Sequence, residues 1–266
     1  MGNQQTQPEI LTQKYVLTQK YAGLDEPSEE ATSRLYKSMR FFSPKDNFFL
    51  LDKLFFFDQS DAFEGSLNFK DTVGSNYEFY RQKIGELDGK MILYPRLSEE
   101  NFSLRRQYLK NTLDDRLDPS AFLAEDDKYW LMCQTFFAVH CLHTLDLPHC
   151  NLKPSNILVT SLDQVLLTDL VLFKPHFFLN QDLDKIALCH PSLDERCYLA
   201  PERFLDSGKT EIINLKTTSP KILNILMKSD IFSLGNINKV VFSLKYSLDT
   251  RYSHIGLSKN AAQLKV

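Results

Sequence analysis

His149-Cys150-Asn151-Leu152-Lys153-Pro154-Ser155-Asn156 is followed by two short apolar runs, Ile157-Leu158-Val159 and Val165-Leu166-Leu167, and then by Thr168-Asp169-Leu170-Val171. The paired runs read as a hairpin. That hairpin returns Asp169 to the loop that holds Asn151, Lys153 and Asn156, so polar side chains from separate stretches converge on one cleft. Upstream, Glu125-Asp126-Asp127 opens a long helix, with acids in the first turn as the helix dipole favours. Trp130, Leu131, Phe137, Val139, Leu142 and Leu145 supply its apolar face, and it ends near Pro148. Lys228 to Tyr246 reads as a further buried helix, with Asp230 at its head.

Before this helical part lies an aromatic-rich stretch. Asn47 to Phe57 has the period of a strand, and alternation puts Phe49, Leu51, Lys53, Phe55 and Phe57 on one face. Phe102 to Tyr108 is a second strand, and Leu109-Lys110-Asn111 a connector. Residues 1–30 are polar and read as a flexible leader, residues 31–110 as a small β-rich lobe, and residues 111–266 as a mainly helical one. The fold class is therefore α+β in two lobes.

Composition narrows the partners. A formal net charge of -3 and the lack of a dense Lys/Arg run argue against nucleic acid, and Arg105-Arg106 is expected to be solvated surface. The five cysteines are odd in number and show no C-x-x-C spacing, which suits free thiols in a reducing compartment. No apolar run approaches the roughly 18 residues of a membrane span. Met1-Gly2-Asn3-Gln4-Gln5-Thr6 fits the pattern in which Gly2 is exposed for myristoylation. One acyl chain binds membranes only marginally, so this predicts a peripheral protein that needs a second contact.

Phosphoryl transfer passes through a loose transition state, so a catalyst mainly positions groups and neutralises charge. The protein-kinase loop H-R-D-x-K-x-x-N supplies a base, a lysine near the transferring phosphate and a metal-binding Asn. Here those slots hold Asn151, Lys153 and Asn156, and Asp169 stands where a second magnesium ligand belongs. Singly, Asn156 could cap a turn and Asp169 could be a loop acid; their joint order, with Ala200-Pro201-Glu202 downstream, favours the kinase pattern. Lys53 is the candidate for the strand lysine on the α- and β-phosphates, against the alternative of an edge-strand lysine that blocks aggregation. Its helix glutamate is not identifiable, and Glu64 qualifies by position only. Glu202 is expected to pair with a buried arginine, and Asp230 to hydrogen-bond the backbone of the His149 loop.

Departures from the pattern bear on activity. Asn151 cannot accept a proton near neutral pH, and general-base assistance is worth roughly a hundred- to ten-thousand-fold in rate. Cys150 replaces the arginine that would read a loop phosphate, and Leu170-Val171 replace Phe-Gly. No G-x-G-x-x-G appears before Lys53; Arg40-Phe41-Phe42-Ser43-Pro44 lies where that loop is expected.

Several stretches resemble one family in particular, the myristoylated regulatory protein-kinase-like subunit of the class III phosphatidylinositol 3-kinase (vacuolar protein sorting) complex. They are Met1 to Gln4, Arg40-Phe41-Phe42, Arg106-Gln107-Tyr108, Asn111 to Leu117, Asn156 to Ser161, Val165 to Asp169, Phe173-Lys174-Pro175, Arg196 to Phe204 and Asp230 to Gly235. The resemblance is strongest from about residue 102 to 235. It implies a bilobal kinase fold, ATP or GTP and Mg2+ as ligands, a lipid-kinase catalytic subunit as partner, and a peripheral place on endosomal or autophagic membranes through Gly2. Relatives of this kind continue into helical repeats and a propeller and keep Asp where Asn151 stands, so the helical lobe is expected to be truncated after its central helix. The expectation is a pseudokinase scaffold. A weakly active ATP-dependent Ser/Thr protein kinase is the alternative, and a small-molecule kinase a third that Lys153 and Ala200-Pro201-Glu202 disfavour.

Overall fold

Phe48 to Phe55 is rich in aromatic and aliphatic residues that suit a pleated, half-buried surface, and it forms the middle of a sheet. The computed structural model describes residues 32–33, 36–43, 47–55, 69–85, 91–93, 96–98, 103–118, 123–172, 174–190 and 196–243. Within them, β1 (Thr32–Ser33), β2 (Tyr36–Ser43), β3 (Phe48–Phe55), β4 (Arg96–Ser98) and β5 (Ser103–Gln107) make one antiparallel sheet in the order β1-β2-β3-β5-β4. Because β3 is central, Lys53 is not an edge-strand lysine. Arg40 to Ser43 is strand as well, with Arg40 opposite Leu51 and Phe42 opposite Phe49, so it is not the loop the sequence suggested. The Gly2 motif and leader, Pro44 and Glu64 lie outside the described residues.

The register between β3 and β5 decides what reaches the cleft. Leu51 faces Arg106 and Lys53 faces Leu104, so these four share one side of the sheet. Asp52 and Arg105 oppose each other on the other side, joined by two 2.7 Å hydrogen bonds from the guanidinium to the buried carboxylate. The expectation of solvated surface is thereby corrected for Arg106, which is buried, while Arg105 stays partly exposed. Successive strand residues point to opposite faces, and both of these faces are covered.

Helix α1 (Phe69–Ile84) buries Val73, Asn76, Tyr80 and Ile84, one stripe at helical spacing. It is tied to the helical part by polar contacts. Asn76 donates to the Ile213 carbonyl and accepts from the Leu215 N–H, both at 2.8 Å. Lys83 donates to the Leu145 carbonyl at 2.9 Å, and the Tyr80 hydroxyl to the Pro148 carbonyl. A short helix α2 (Leu113–Arg116) follows, closed by a capping box between Thr112 and Asp115.

Helix α3 (Glu125–Thr144) buries Leu131, Met132, Thr135, Ala138, Val139 and Leu142. Trp130 and Phe137, expected in its apolar face, are each 57% exposed. The hairpin of β6 (Ile157–Val159) and β7 (Val165–Leu167) lies against it, with Gln134 reaching the hairpin turn through the Asp163 carbonyl and the Val165 N–H. Beyond come the parallel pair β8 (Phe178–Leu179) and β9 (Phe204–Leu205), with α4 (Leu183–Cys189) between them, and the long helix α5 (Pro220–Ser243). The expected start of α5 at Lys228 is too late. Ser219 and Pro220 open it, proline being suited to a first helical position, so Asp230 sits mid-helix and fully buried. No helix among the described residues is long and apolar enough to cross a membrane.

Candidate functional site

The His149 loop is held from beneath. Asp230 accepts from the His149 and Cys150 N–H groups, both at 2.7 Å, and its Oδ2 lies 2.9 Å from His143 Nε2. From the other side, Arg203 donates to the Cys150, Pro175 and His176 carbonyls at 2.7 to 2.8 Å. These clamps hold Cys150 at φ 56°, a left-handed conformation that a non-glycine residue adopts only when its surroundings impose it. Asp169 is in the same region at φ 58°, next to a hydrogen bond from the Val171 N–H to the His149 carbonyl.

Within the loop, the two asparagines do structural work. Asn156 Nδ2 donates to the Asn151 carbonyl at 2.7 Å, and its N–H to the Lys153 carbonyl at 2.9 Å. Asn151 Nδ2 donates to the Asp169 carbonyl at 2.8 Å. An aspartate could not make that bond, because an ionised carboxylate only accepts. Asn151, Lys153, Asn156 and Asp169 are thus brought to one place, where the loop and the segment after β7 meet.

Lys53 enters from β3, with Nζ 2.5 Å from Asp169 Oδ2. Arg106 enters from β5 on the same side, with Nη2 3.7 Å from the same oxygen and a side chain only 8% exposed. Burial alone would push the Asp169 carboxyl up, but Lys53, Arg106 and Lys153 together hold it well below the usual carboxylate range. Asp169 is therefore an ionised carboxylate held by cationic side chains. Glu78, the one glutamate of α1, pairs with Arg81 on the exposed face and not with Lys53.

Elsewhere the buried groups are kept neutral or inert. Burial lowers the His149 imidazole, and its Nδ1 accepts from the Asn151 N–H at 3.3 Å. Burial also lowers His176 to about 3 and pushes the Cys189 thiol up to about 12. Cys150 is pushed up by burial too, so it is not a nucleophile. Glu202 is exposed, and among the described residues it forms no ion pair, so the expected pairing with a buried arginine is not seen there. The buried arginine is its neighbour Arg203, which spends its charge on backbone carbonyls and stacks 5.7 Å from the Phe178 ring centroid.

Two functional residues escaped the sequence: Arg106 and Arg203. Arg203 stands in the Arg196 to Phe204 string that carries the family resemblance, so a signal for it existed. Arg106 likewise stands in the Arg106-Gln107-Tyr108 stretch of that resemblance, but its even spacing with Leu104 marks one face of a strand without saying what that face meets. A divalent cation fits poorly at Asp169 Oδ2, because that oxygen already faces Lys53 and Arg106.

Comparison with known proteins gives the same family direction. No protein-family profile matches the chain. It is 33% identical over 141 residues to the serine/threonine-protein kinase VPS15 of Arabidopsis thaliana, a stretch covering 52% of this chain and 9% of that protein. With VPS15 of Saccharomyces cerevisiae it shares 33% over 169 residues, 60% of this chain and 11% of the other. With the probable serine/threonine-protein kinase vps15 of Dictyostelium discoideum it shares 31% over 140 residues, 52% and 7%. The chain thus resembles VPS15 over about half its length and is kinase-like, while the matched stretch spans about a tenth of the curated relatives' length.

Proposed function

We propose that the chain adopts a bilobal protein-kinase-like fold, with residues 31–110 as the small lobe and residues 111–266 as the helical one, and works as a pseudokinase scaffold that holds a nucleotide and transfers phosphate poorly. The observation that carries this is Asn151, which stands in the base position and donates its amide proton to the Asp169 carbonyl at 2.8 Å. A residue so engaged neither accepts a proton nor orients a hydroxyl as a carboxylate would. Support for nucleotide binding comes from Lys53 and Arg106 beside one carboxylate on which Lys153 also acts, a group of cationic donors suited to phosphate oxygens. ATP and GTP both satisfy that chemistry.

The resemblance to VPS15 extends the proposal to a class III phosphatidylinositol 3-kinase catalytic subunit as partner, and to peripheral attachment at endosomal or autophagic membranes through a myristoylated Gly2. Residual Ser/Thr protein kinase activity is the second possibility, favoured by the Lys53–Asp169 pair and by the names of the relatives.

The deciding experiment is a radiolabelled phosphate-transfer assay beside a thermal-shift titration with ATP and GTP. The proposal expects a raised melting temperature with nucleotide and background transfer. Robust transfer by the unmodified chain, abolished by Asp169→Ala, would overturn it in favour of the kinase. Co-purification from the native cell tests the lipid-kinase partner, and mass spectrometry of the N-terminal peptide tests Gly2.

A further inference from the structure

We infer that Arg106 takes the place of a divalent cation at Asp169, so that the cleft receives the phosphates of a nucleotide without magnesium. This rests on nucleotide binding as proposed above. It goes beyond it by assigning the cation and the residue that supplies it.

Three observations carry the inference. First, Arg106 is placed by the sheet: it lies opposite Leu51, two residues along the same face from Lys53, so strand register alone directs both side chains to one side. Second, the guanidinium is buried at 8% exposure with Nη2 3.7 Å from Asp169 Oδ2, the oxygen that Lys53 Nζ contacts at 2.5 Å. Third, Arg106 is under-used. Nη1 donates to the Gln107 carbonyl at 3.1 Å, but Nε is buried with no hydrogen-bond partner among the described residues. A buried guanidinium N–H without an acceptor is costly, so a guanidinium set beside Lys53 and Asp169 gains from an added anionic acceptor.

Charge decides between magnesium and an anion. Lys53 Nζ at 2.5 Å and Arg106 Nη2 at 3.7 Å both meet Asp169 Oδ2, so the oxygen that would bind a metal ion already faces two cationic groups. A divalent cation there would be set against both in a poorly solvated place, whereas phosphate oxygens can accept from their N–H groups. The planar fork of arginine also suits two phosphate oxygens at once, which a lysine does not match.

The test is fluorescence titration of N-methylanthraniloyl-ATP and N-methylanthraniloyl-GTP into the full 266-residue chain, in excess EDTA or in excess magnesium. Two variants accompany it: Arg106→Leu, which removes the cation, and Arg106→Lys, which keeps a charge. Magnesium is expected not to tighten binding by the unmodified chain or by Arg106→Lys. For Arg106→Leu, binding in EDTA is expected to weaken about ten-fold, and magnesium to restore it. A ten-fold tightening of the unmodified chain by magnesium would sink this inference and leave the nucleotide site standing. Equal affinity of Arg106→Leu and the unmodified chain in EDTA would also sink it. No binding in either buffer by any of the three chains, each shown to be folded by its circular dichroism, overturns both this inference and the nucleotide site.

Discussion

At Asn151 the side chain is a donor where the kinase pattern has an acceptor, and the backbone around it has adapted to that. Its Nδ2 bonds the carbonyl of Asp169, a residue itself in the left-handed region at φ 58°. Converting Asn151→Asp sets a carboxylate oxygen against that carbonyl oxygen. The expected result is a loss of about 1 to 2 kcal/mol, the usual cost of removing a donor from a partly buried bond, and no gain of phosphate transfer. A urea-denaturation midpoint that does not move would show that the bond contributes nothing to the fold. The residue was legible in the sequence as a departure from H-R-D-x-K-x-x-N, but its new partner was not. Eighteen residues separate it from Asp169, and only the folded hairpin brings the two together.

On the scale of elements, strand and helix periods were easier to find than the faces they present. Strands β3 and β5, the β6–β7 hairpin and helix α3 lie near the expected ranges, because alternation, apolar runs and acids in a first turn are local signals. The inward face of α3 was misjudged. Trp130 and Phe137 lie one residue before Leu131 and Ala138, about 100° around the helix, and aromatic residues stand on both sides. With large apolar residues on the exposed side as well, the sequence marks no single face clearly. Helix α1 makes the opposite point: its attachment to the helical part is polar, through Asn76 to Ile213 and Leu215. Asn76→Ala leaves the Ile213 carbonyl and the buried Leu215 N–H without the partner that Asn76 supplies. About 2 to 4 kcal/mol should be lost, with faster hydrogen exchange at the Leu215 amide. Unchanged protection there would refute the role of α1 as a brace.

For the molecule as a whole, buried ionisable groups set the response to acid. His149, His176 and His190 are all lowered by burial from the ordinary 6.5, with His176 reaching about 3. Above 6.5 both folded and unfolded imidazoles are neutral, so stability is fully present; below it the unfolded chain gains protons that the folded one refuses. Each such histidine then costs about 1.4 kcal/mol per pH unit. Asp169, held low by its cations, adds a loss at more acidic pH, below the ordinary carboxylate range. Denaturation by urea should therefore show stability falling between neutral pH and about pH 5, with a shallower fall for His176→Gln; a flat profile would mean these rings are hydrated in the fold. What the sequence by itself determined was the order of elements and the polar set Lys53, Asn151, Lys153, Asn156 and Asp169, since periodicity and motif spacing are properties of the chain alone. Only the tertiary structure decided that Arg106 turns inward, that Arg203 and not Glu202 is buried, and that Asp230 forces Cys150 into a left-handed turn. Those outcomes depend on which charges and carbonyls meet across distant segments, and that is settled by packing and by the need to satisfy buried polar groups.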